Sequence, residues 1–126
     1  MAGFGGAIRK YKGEIIHLFY GNIGFNSNNA AELEGMIAGL TIVDNNSILP
    51  VIVEGDSAIV LTLAAKLLHG TSVSKVTTSW RLDHGISCLD SLLQRMHTIT
   101  FHHMRKKANA LRGKSLAFSE PFFVFL

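Results

Sequence analysis

Alternating apolar positions near the start of the chain predict two β-strands, and a helical spacing of apolar positions follows them. The strands extend over residues 7–11 and 14–21, and the turn at Lys12 and Gly13 supplies the positive φ that a tight hairpin needs. The helix extends over residues 29–43. Its apolar stripe consists of Ala30, Leu33, Ile37 and Leu40. The chain is therefore expected to begin as a hairpin followed by a helix.

The middle of the chain predicts a buried strand and a second helix. Residues 48–53 form a short β-branched run that is typical of a strand buried on both faces, and Pro50 confines where that strand begins. A helix over residues 57–68 follows, and Gly70 marks its end. The side chains expected to face inward are Ile59, Val60, Leu63, Leu67 and Leu68.

The last third of the chain predicts an amphipathic helix, a strand and a basic helix. The apolar stripe of the amphipathic helix consists of Ile86, Leu89, Leu93 and Met96. Apolar and polar residues alternate over residues 97–103, as in a strand, and a basic helix over residues 106–117 follows. Pro121 ends that helix, and the tail PFFVFL closes on a run of apolar residues. This succession of strands and helices predicts an α/β fold.

The composition fits one globular domain. The chain has 126 residues, 48% of them hydrophobic, which suffices for a sizeable core without disulfide or metal staples. Its one cysteine, Cys88, has no internal disulfide partner and is expected as a buried thiol rather than a nucleophile. The first residues lack an apolar export segment, and the longest apolar helical stretch is too short to span a membrane. An intracellular protein of the cytoplasm or nucleus, with no membrane role, is expected.

Positive charge is concentrated towards the end of the chain. The net charge is +3, which alone is weak evidence for an anionic partner. Five of the 12 lysines and arginines lie close together. They are Arg105, Lys106, Lys107, Arg112 and Lys114. This density suits phosphate contacts, although a solvated helix face explains it equally well.

On the first helix, Glu32 shares one face with Gly35, Met36 and Gly39. Because glycine has no side chain, this face exposes mostly backbone. Two glycines one turn apart weaken a helix by about 1 kcal/mol each, so a close approach to another element is expected there. Glu32 would then point into a cleft. The alternative is a capping box, in which Asn29 is the N-cap and Glu32 stands three residues later.

Asp56 directly follows the strand VIVEG and precedes the second helix. Sites in open α/β sheets gather at the carboxyl ends of the strands, which favours a functional role. The structural alternative is that Asp56 caps the second helix, with Ser57 sharing that role. Two acids expected at the same edge of the sheet favour a shared site.

Three segments together resemble the RNase H-like domain found in plants and in retroelement-related chains. They are NNAAELEGMIAGL, VIVEGDS and FHHMRKKANAL. The resemblance covers residues 1–117 as an incomplete RNase H-like domain and leaves residues 118–126 as a divergent apolar tail. It implies a ribonuclease H-like three-layer α/β fold with a mixed sheet, whose first, central strand is missing from this sequence.

The resemblance also implies a site of four carboxylates that binds two Mg²⁺ ions and cleaves the RNA strand of an RNA/DNA hybrid. Hard cations take oxygen ligands, and paired metals stabilise the attacking and leaving oxygens. Glu32 and Asp56 match the second and third of these acids, as catalytic and metal-binding residues.

Other positions match the parts of the family that contact nucleic acid. His103 also matches a late motif of the family, although the longer histidine loop of bacterial relatives is absent, which argues against proton transfer by His103. The predicted substrate-binding residues are Asn28, Asn29, Arg105, Lys106, Lys107 and Asn109.

Two of the four acids implied by the resemblance have no counterpart. The first belongs to a strand that would precede GFGG, and Gly113 stands where the fourth is expected. Two carboxylates fit at most one weakly held Mg²⁺, so little or no hydrolysis is expected. The missing strand would leave two facing sheet edges unpaired, and residues 122–126 are apolar and β-prone enough to fill part of that slot. A fragmentary end without an evolved role is the alternative.

Three functions are compatible with this sequence. The first is a Mg²⁺-dependent ribonuclease of the RNase H type. The second is a module that binds an RNA/DNA hybrid or RNA without cutting it. The third is a remnant or interaction domain, in which Glu32 and Asp56 serve only as helix caps.

Overall fold

A computed structural model of the chain describes residues 2–24, 28–48, 50–73, 80–96, 98–103 and 122–126. The strands and helices of the described residues follow one another in the order that the sequence predicts. The elements are β1 (Ala2–Arg9), β2 (Ile15–Gly24), α1 (Asn28–Asn45), β3 (Val51–Gly55), α2 (Ala58–Leu68), α3 (Trp80–Gln94), β4 (Ile99–His103) and β5 (Phe122–Phe125).

The strands form one mixed sheet with the order β2-β1-β5-β3-β4. β1 is antiparallel to β2 and to β5, whereas β3 is parallel to β4 and to β5. The predicted α/β class and mixed sheet are therefore confirmed. The three-layer arrangement and the basic helix over residues 106–117 depend on a segment that lies outside the described residues.

The tail strand β5 lies between the first hairpin and β3, where the sequence hypothesis put it. On one side Ala7, Ile8 and Arg9 pair with it, and on the other side it pairs with residues 51–54 of β3. The pairing with β3 continues past the strand, because the Leu126 N–H donates to the Glu54 carbonyl at 2.9 Å. Phe123 and Val124 are buried, so β5 connects the two halves of the sheet and adds to its core.

The first hairpin follows its turn chemistry but is longer than predicted. Gly13 has φ of 100° and its N–H donates to the Lys10 carbonyl at 2.8 Å, as a glycine turn requires. β1 begins at Ala2 rather than at residue 7, and its glycine-rich start pairs with Asn22, Gly21 and neighbouring residues of β2. Cross-strand pairing outweighs the low strand propensity of glycine here.

The three helices contact one another, and their apolar faces share one core with the sheet. α1 approaches the sheet through its glycines, as predicted. A Cβ at Gly39 would lie only 2.9 Å from side-chain atoms of both Phe19 and Val124. The most deeply buried side chains of this core include Ile8, Leu33, Met36, Leu40, Val53, Val60, Leu67, Ile86, Leu89 and Val124.

Two burial predictions are wrong. Ile59 is 57% exposed, because it lies in the first turn of α2 and borders a surface cavity, while the inward face of α2 uses Leu61 and Ala64 instead. Cys88 is exposed, because α3 packs through Ile86 and Leu89, which lie on another face of the helix. Among the described residues, no helix is long and apolar enough to cross a membrane.

Candidate functional site

A cavity of about 640 Å³ opens where the starts of α1 and α2 meet the end of β3. Both candidate acids, Glu32 and Asp56, border it. The other lining residues are Gly3, Phe4, Gly5, Asn29, Ala31, Gly35, Ser57, Ala58, Ile59 and Leu126. The fold therefore brings together two acids that are far apart in the sequence, at the sheet edge that the sequence predicts.

The Glu32 side chain extends from α1 over the last residue of β3. A Cβ added at Gly55 would collide with Glu32 Oε1, so the glycine makes room for the carboxylate. This oxygen is buried and has no hydrogen-bond partner among the described residues. A buried carboxylate oxygen without a partner is poorly solvated, and it is a ready ligand for a cation or a hydrogen-bond donor.

The surroundings of Glu32 raise its pKa above the ordinary value of 4.5. Burial is the largest cause, since it disfavours the charged carboxylate. The Ser57 N–H and the weaker effect of the Asp56 N–H lower the pKa, while the negative charge of Asp56 raises it. The Glu32 carboxylate thus faces the N-terminus of the neighbouring helix α2. The capping box that is the alternative for Glu32 is wrong, because α1 begins at Asn28 and has no acidic residue in its first turn.

Ser57 ties the starts of the two helices together. It is the N-cap of α2, and its Oγ accepts a hydrogen bond from the Val60 N–H at 3.2 Å. The same hydroxyl donates to Asn29 Oδ1 at 3.0 Å. Asn29 and Glu32 lie one turn apart on α1, so both contact Ser57, the residue that caps α2. Ser57 performs the capping that the alternative interpretation gave to Asp56.

Asp56 occupies the exposed rim of the cavity, and its backbone is held from the adjacent strand. His103, the last residue of β4, pairs with Gly55 in the parallel register, and its Nε2 lies 2.8 Å from the Asp56 carbonyl oxygen. His103 thus contacts the candidate site, although it was not among the predicted site residues. Its position at the end of a strand parallel to β3 is the signal that would have found it.

The remaining wall of the cavity is apolar. It consists of Phe4 from β1, Ile59 from α2 and Leu126, which follows β5. A Cβ added at Gly55 would lie 3.5 Å from the Leu126 Cβ. Leu126 therefore lies beside Gly55, next to the two acids. In the part of the chain that the structure describes, no group of three or more His, Cys, Asp or Glu side chains could hold a metal ion.

Several predicted binding residues cannot be compared with this geometry. The side chain of Asn28 and residues Arg105, Lys106, Lys107 and Asn109 lie outside the described part of the structure. Of the predicted set, Glu32, Asp56 and Asn29 border the cavity.

The raised pKa of Glu32 predicts a pH-dependent gain of stability when its charge is removed. The folded chain binds the Glu32 proton more tightly than the unfolded chain, so the stability contributed by this group is complete at low pH and is lost as the pH rises through the folded pKa. Glu32→Gln should therefore raise Tm relative to the unchanged protein at pH 7, and the gain should shrink as the pH approaches 4.5.

Differential scanning calorimetry across this pH range measures the effect. Glu34→Gln, on the same helix, controls for the loss of one negative charge. A Tm difference for Glu32→Gln that does not change with pH would contradict the assigned burial of the carboxylate.

Known proteins share this fold. A family model described as "Reverse transcriptase-like" matches residues 1–111. None of the curated proteins matches the chain. The crystal structure of RNase H1 from the halophilic archaeon Halobacterium salinarum NRC-1 superposes with a TM-score of 0.59, at 21% sequence identity, over 86% of this chain and 87% of that chain. At this identity the likeness is one of fold.

Proposed function

The chain belongs to the reverse transcriptase-like family and has an RNase H-like fold, and on this basis we propose that it binds RNA/DNA hybrids at the cavity of Glu32 and Asp56, with little or no cleavage of the RNA strand. The observation that carries the proposal is the convergence of these two acids, from two separate helix starts, on one cavity. Helix caps that served only their own helices would not need to meet there. Such binding would place the domain in the cytoplasm or the nucleus.

Asn29 is the described residue best suited to contact a sugar–phosphate strand. Its Oδ1 accepts from the Ser57 hydroxyl, which fixes the orientation of the amide at the cavity wall. The amide NH₂ group has two donors, which suit ribose hydroxyls or phosphate oxygens. Asn28 and the cluster of Arg105, Lys106 and Lys107 remain predicted contacts, and the cluster would provide the positive charge that phosphate binding needs.

The donor atoms at the cavity fit one weakly held Mg²⁺ ion and do not fit a pair. The Oε1 of Glu32, which has no hydrogen-bond partner among the described residues, and the exposed carboxylate of Asp56 are suitable oxygen ligands, and water and a substrate phosphate would complete the shell. When bound, such an ion would neutralise charge between the two carboxylates and the phosphate strand. A pair of ions would need further carboxylates to offset their mutual repulsion, and the position beside Gly55 is taken by the apolar Leu126.

The residues of this chain therefore hold a strand more readily than they cut it. Burial raises the pKa of Glu32 above that of an exposed carboxylate, and the Ser57 N–H holds the carboxylate in place. Neither acid has a described histidine or lysine placed to receive a proton, since the Nε2 of His103 bonds the Asp56 backbone. Binding with trace hydrolysis is the outcome that these groups favour.

A fluorescent RNA/DNA hybrid of about 16 base pairs, roughly the length that one double-strand-binding domain spans, tests this function. Anisotropy with the protein in Mg²⁺ should show binding that weakens steeply with salt, because phosphate contacts release counterions. The same samples on a denaturing gel should show almost uncut RNA. Lys106→Ala combined with Lys107→Ala should weaken binding and reduce the salt slope by about 2.

Lys66→Ala is the matched control, because Lys66 lies in the last turn of α2, at the opposite end from the cavity. Rapid Mg²⁺-dependent cleavage that disappears in Asp56→Asn would replace the proposal by the ribonuclease function. Absence of both binding and cleavage would leave the remnant or interaction domain.

A further inference from the structure

One peptide group connects His103 to Glu32. The carbonyl of Asp56 lies 2.8 Å from His103 Nε2, and the N–H of the same peptide group, on Ser57, acts on the Glu32 carboxylate. Because a trans peptide points its C=O and its N–H in opposite directions, the two interactions lie on opposite sides of one rigid plane. Fixing the carbonyl therefore fixes the direction of the N–H.

The chemistry of this contact defines the state of the His103 ring. A carbonyl oxygen only accepts, so the Nε2 atom must carry the proton and donate it. The first hydrogen bond of α2 runs from the Leu61 N–H to the Ser57 carbonyl, which leaves the Asp56 carbonyl outside the helix ladder. His103 supplies the partner that this carbonyl lacks in the helix.

A hydrogen bond to the Asp56 carbonyl also strengthens the Ser57 N–H on the other side of the same peptide group. A donor at a carbonyl polarises the peptide and strengthens the N–H on its far side, as in any chain of hydrogen bonds. In this chain the far side is Glu32, whose Oε1 has no hydrogen-bond partner of its own among the described residues. The Ser57 N–H is the strongest interaction that favours the ionised carboxylate.

We propose that His103 is a positioning residue that sets the Asp56–Ser57 peptide group and, through it, holds the Glu32 carboxylate and the Asp56 side chain at the cavity. The role needs a donor at the Nε2 position and no proton transfer. It rests on the proposed function only for its consequence in hybrid binding, because the positioning itself is a property of the free protein.

Backbone amide exchange and chemical shifts test the positioning without any ligand. In ¹⁵N-labelled protein, His103→Ala should shift the Ser57 amide resonance and accelerate its exchange about fivefold, which is the effect of losing one typical hydrogen bond. His103→Gln should restore both, because the glutamine Nε2 supplies a neutral donor at a similar reach. His69→Ala, which removes an exposed imidazole at the other end of α2, should leave the Ser57 amide unchanged.

Two outcomes would overturn the proposal. A Ser57 amide that is unaffected by His103→Ala would show that the carbonyl does not depend on the histidine. Equal changes in His103→Ala and His103→Gln would assign the effect to ring packing rather than to the donor. His103 is exposed, so both variants are expected to fold.

Hybrid binding provides a separate result. If the unchanged protein binds the hybrid, His103→Ala should weaken binding about fivefold and His103→Gln should restore it. If the unchanged protein binds no hybrid while the Ser57 amide responds as expected, the proposed function fails and the positioning role stands. If the protein binds and the amide is unaffected, the function stands and the positioning role fails.

Discussion

Deletion of residues 122–126 is expected to abolish the cooperative thermal transition of the protein. These residues include the whole of β5, which pairs with β1 on one side and with β3 on the other. Phe123 and Val124 are buried at 5% and 0% exposure, and each such side chain contributes roughly 1.5–3 kcal/mol. Unpaired backbone groups on both neighbouring strands add about 1–3 kcal/mol each. The sum is comparable to the whole stability of a small domain, about 5–15 kcal/mol.

A point variant makes the same test without shortening the chain. Val124→Asp buries an unpaired carboxylate between the sheet and α1, at a cost of several kcal/mol. Leu18→Asp is the matched control, because Leu18 lies on the edge strand β2 and is 72% exposed. Circular dichroism melts should show loss of the transition for the deletion and for Val124→Asp, and little change for Leu18→Asp. A deletion variant that melts cooperatively within a few degrees of the full chain would contradict the central place of β5.

Leu126→Asp is expected to tighten binding of a divalent ion by about tenfold or more, since the number of charged ligands strongly sets affinity for hard cations. Leu126 borders the cavity next to Gly55, and its side chain is partly exposed, so a carboxylate can be placed there without burying a full charge. The variant would place a third acid beside Glu32 and Asp56. Isothermal titration with Mn²⁺ measures the change.

Leu126→Asn separates charge from shape, because it has the size of aspartate without its charge. Its Mn²⁺ affinity should remain at the level of the unchanged protein. Equal affinities of the aspartate and asparagine variants would mean that position 126 does not face the ion, and that the apolar wall is not what keeps the site weak.

Most of the fold can be predicted from the sequence because turns and helix packing depend on residues that are close together in the chain. Gly13 and Gly70 have the positive φ values that their turn positions require, and Gly39 allows the close packing that its place in α1 implies. The place of the tail strand follows from the resemblance, which implies a missing central strand, together with the apolar, β-prone composition of residues 122–126. Ile59 was misplaced because helical periodicity describes a face and cannot tell that the first turn borders a cavity.

The details of the site depend on contacts between distant segments, which the pattern of one segment cannot contain. Capping is the structural alternative that the sequence leaves open for Glu32 and Asp56, but Ser57 caps α2 and also binds Asn29, 28 positions away. His103 reaches Asp56 only because β4 and β3 end together in the parallel register. Leu126 borders the acids because β5 lies next to β3 and the chain then continues beside Gly55.

Paramagnetic broadening by Mn²⁺ tests the central claim, that Glu32 and Asp56 share one ion at one cavity, most directly. In ¹⁵N-labelled protein, low Mn²⁺ should broaden the amide signals around Glu32 and around Asp56 together, and Asp56→Asn should remove the broadening from both groups. Broadening of one group without the other, or broadening around Glu32 that persists in Asp56→Asn, would contradict the shared site.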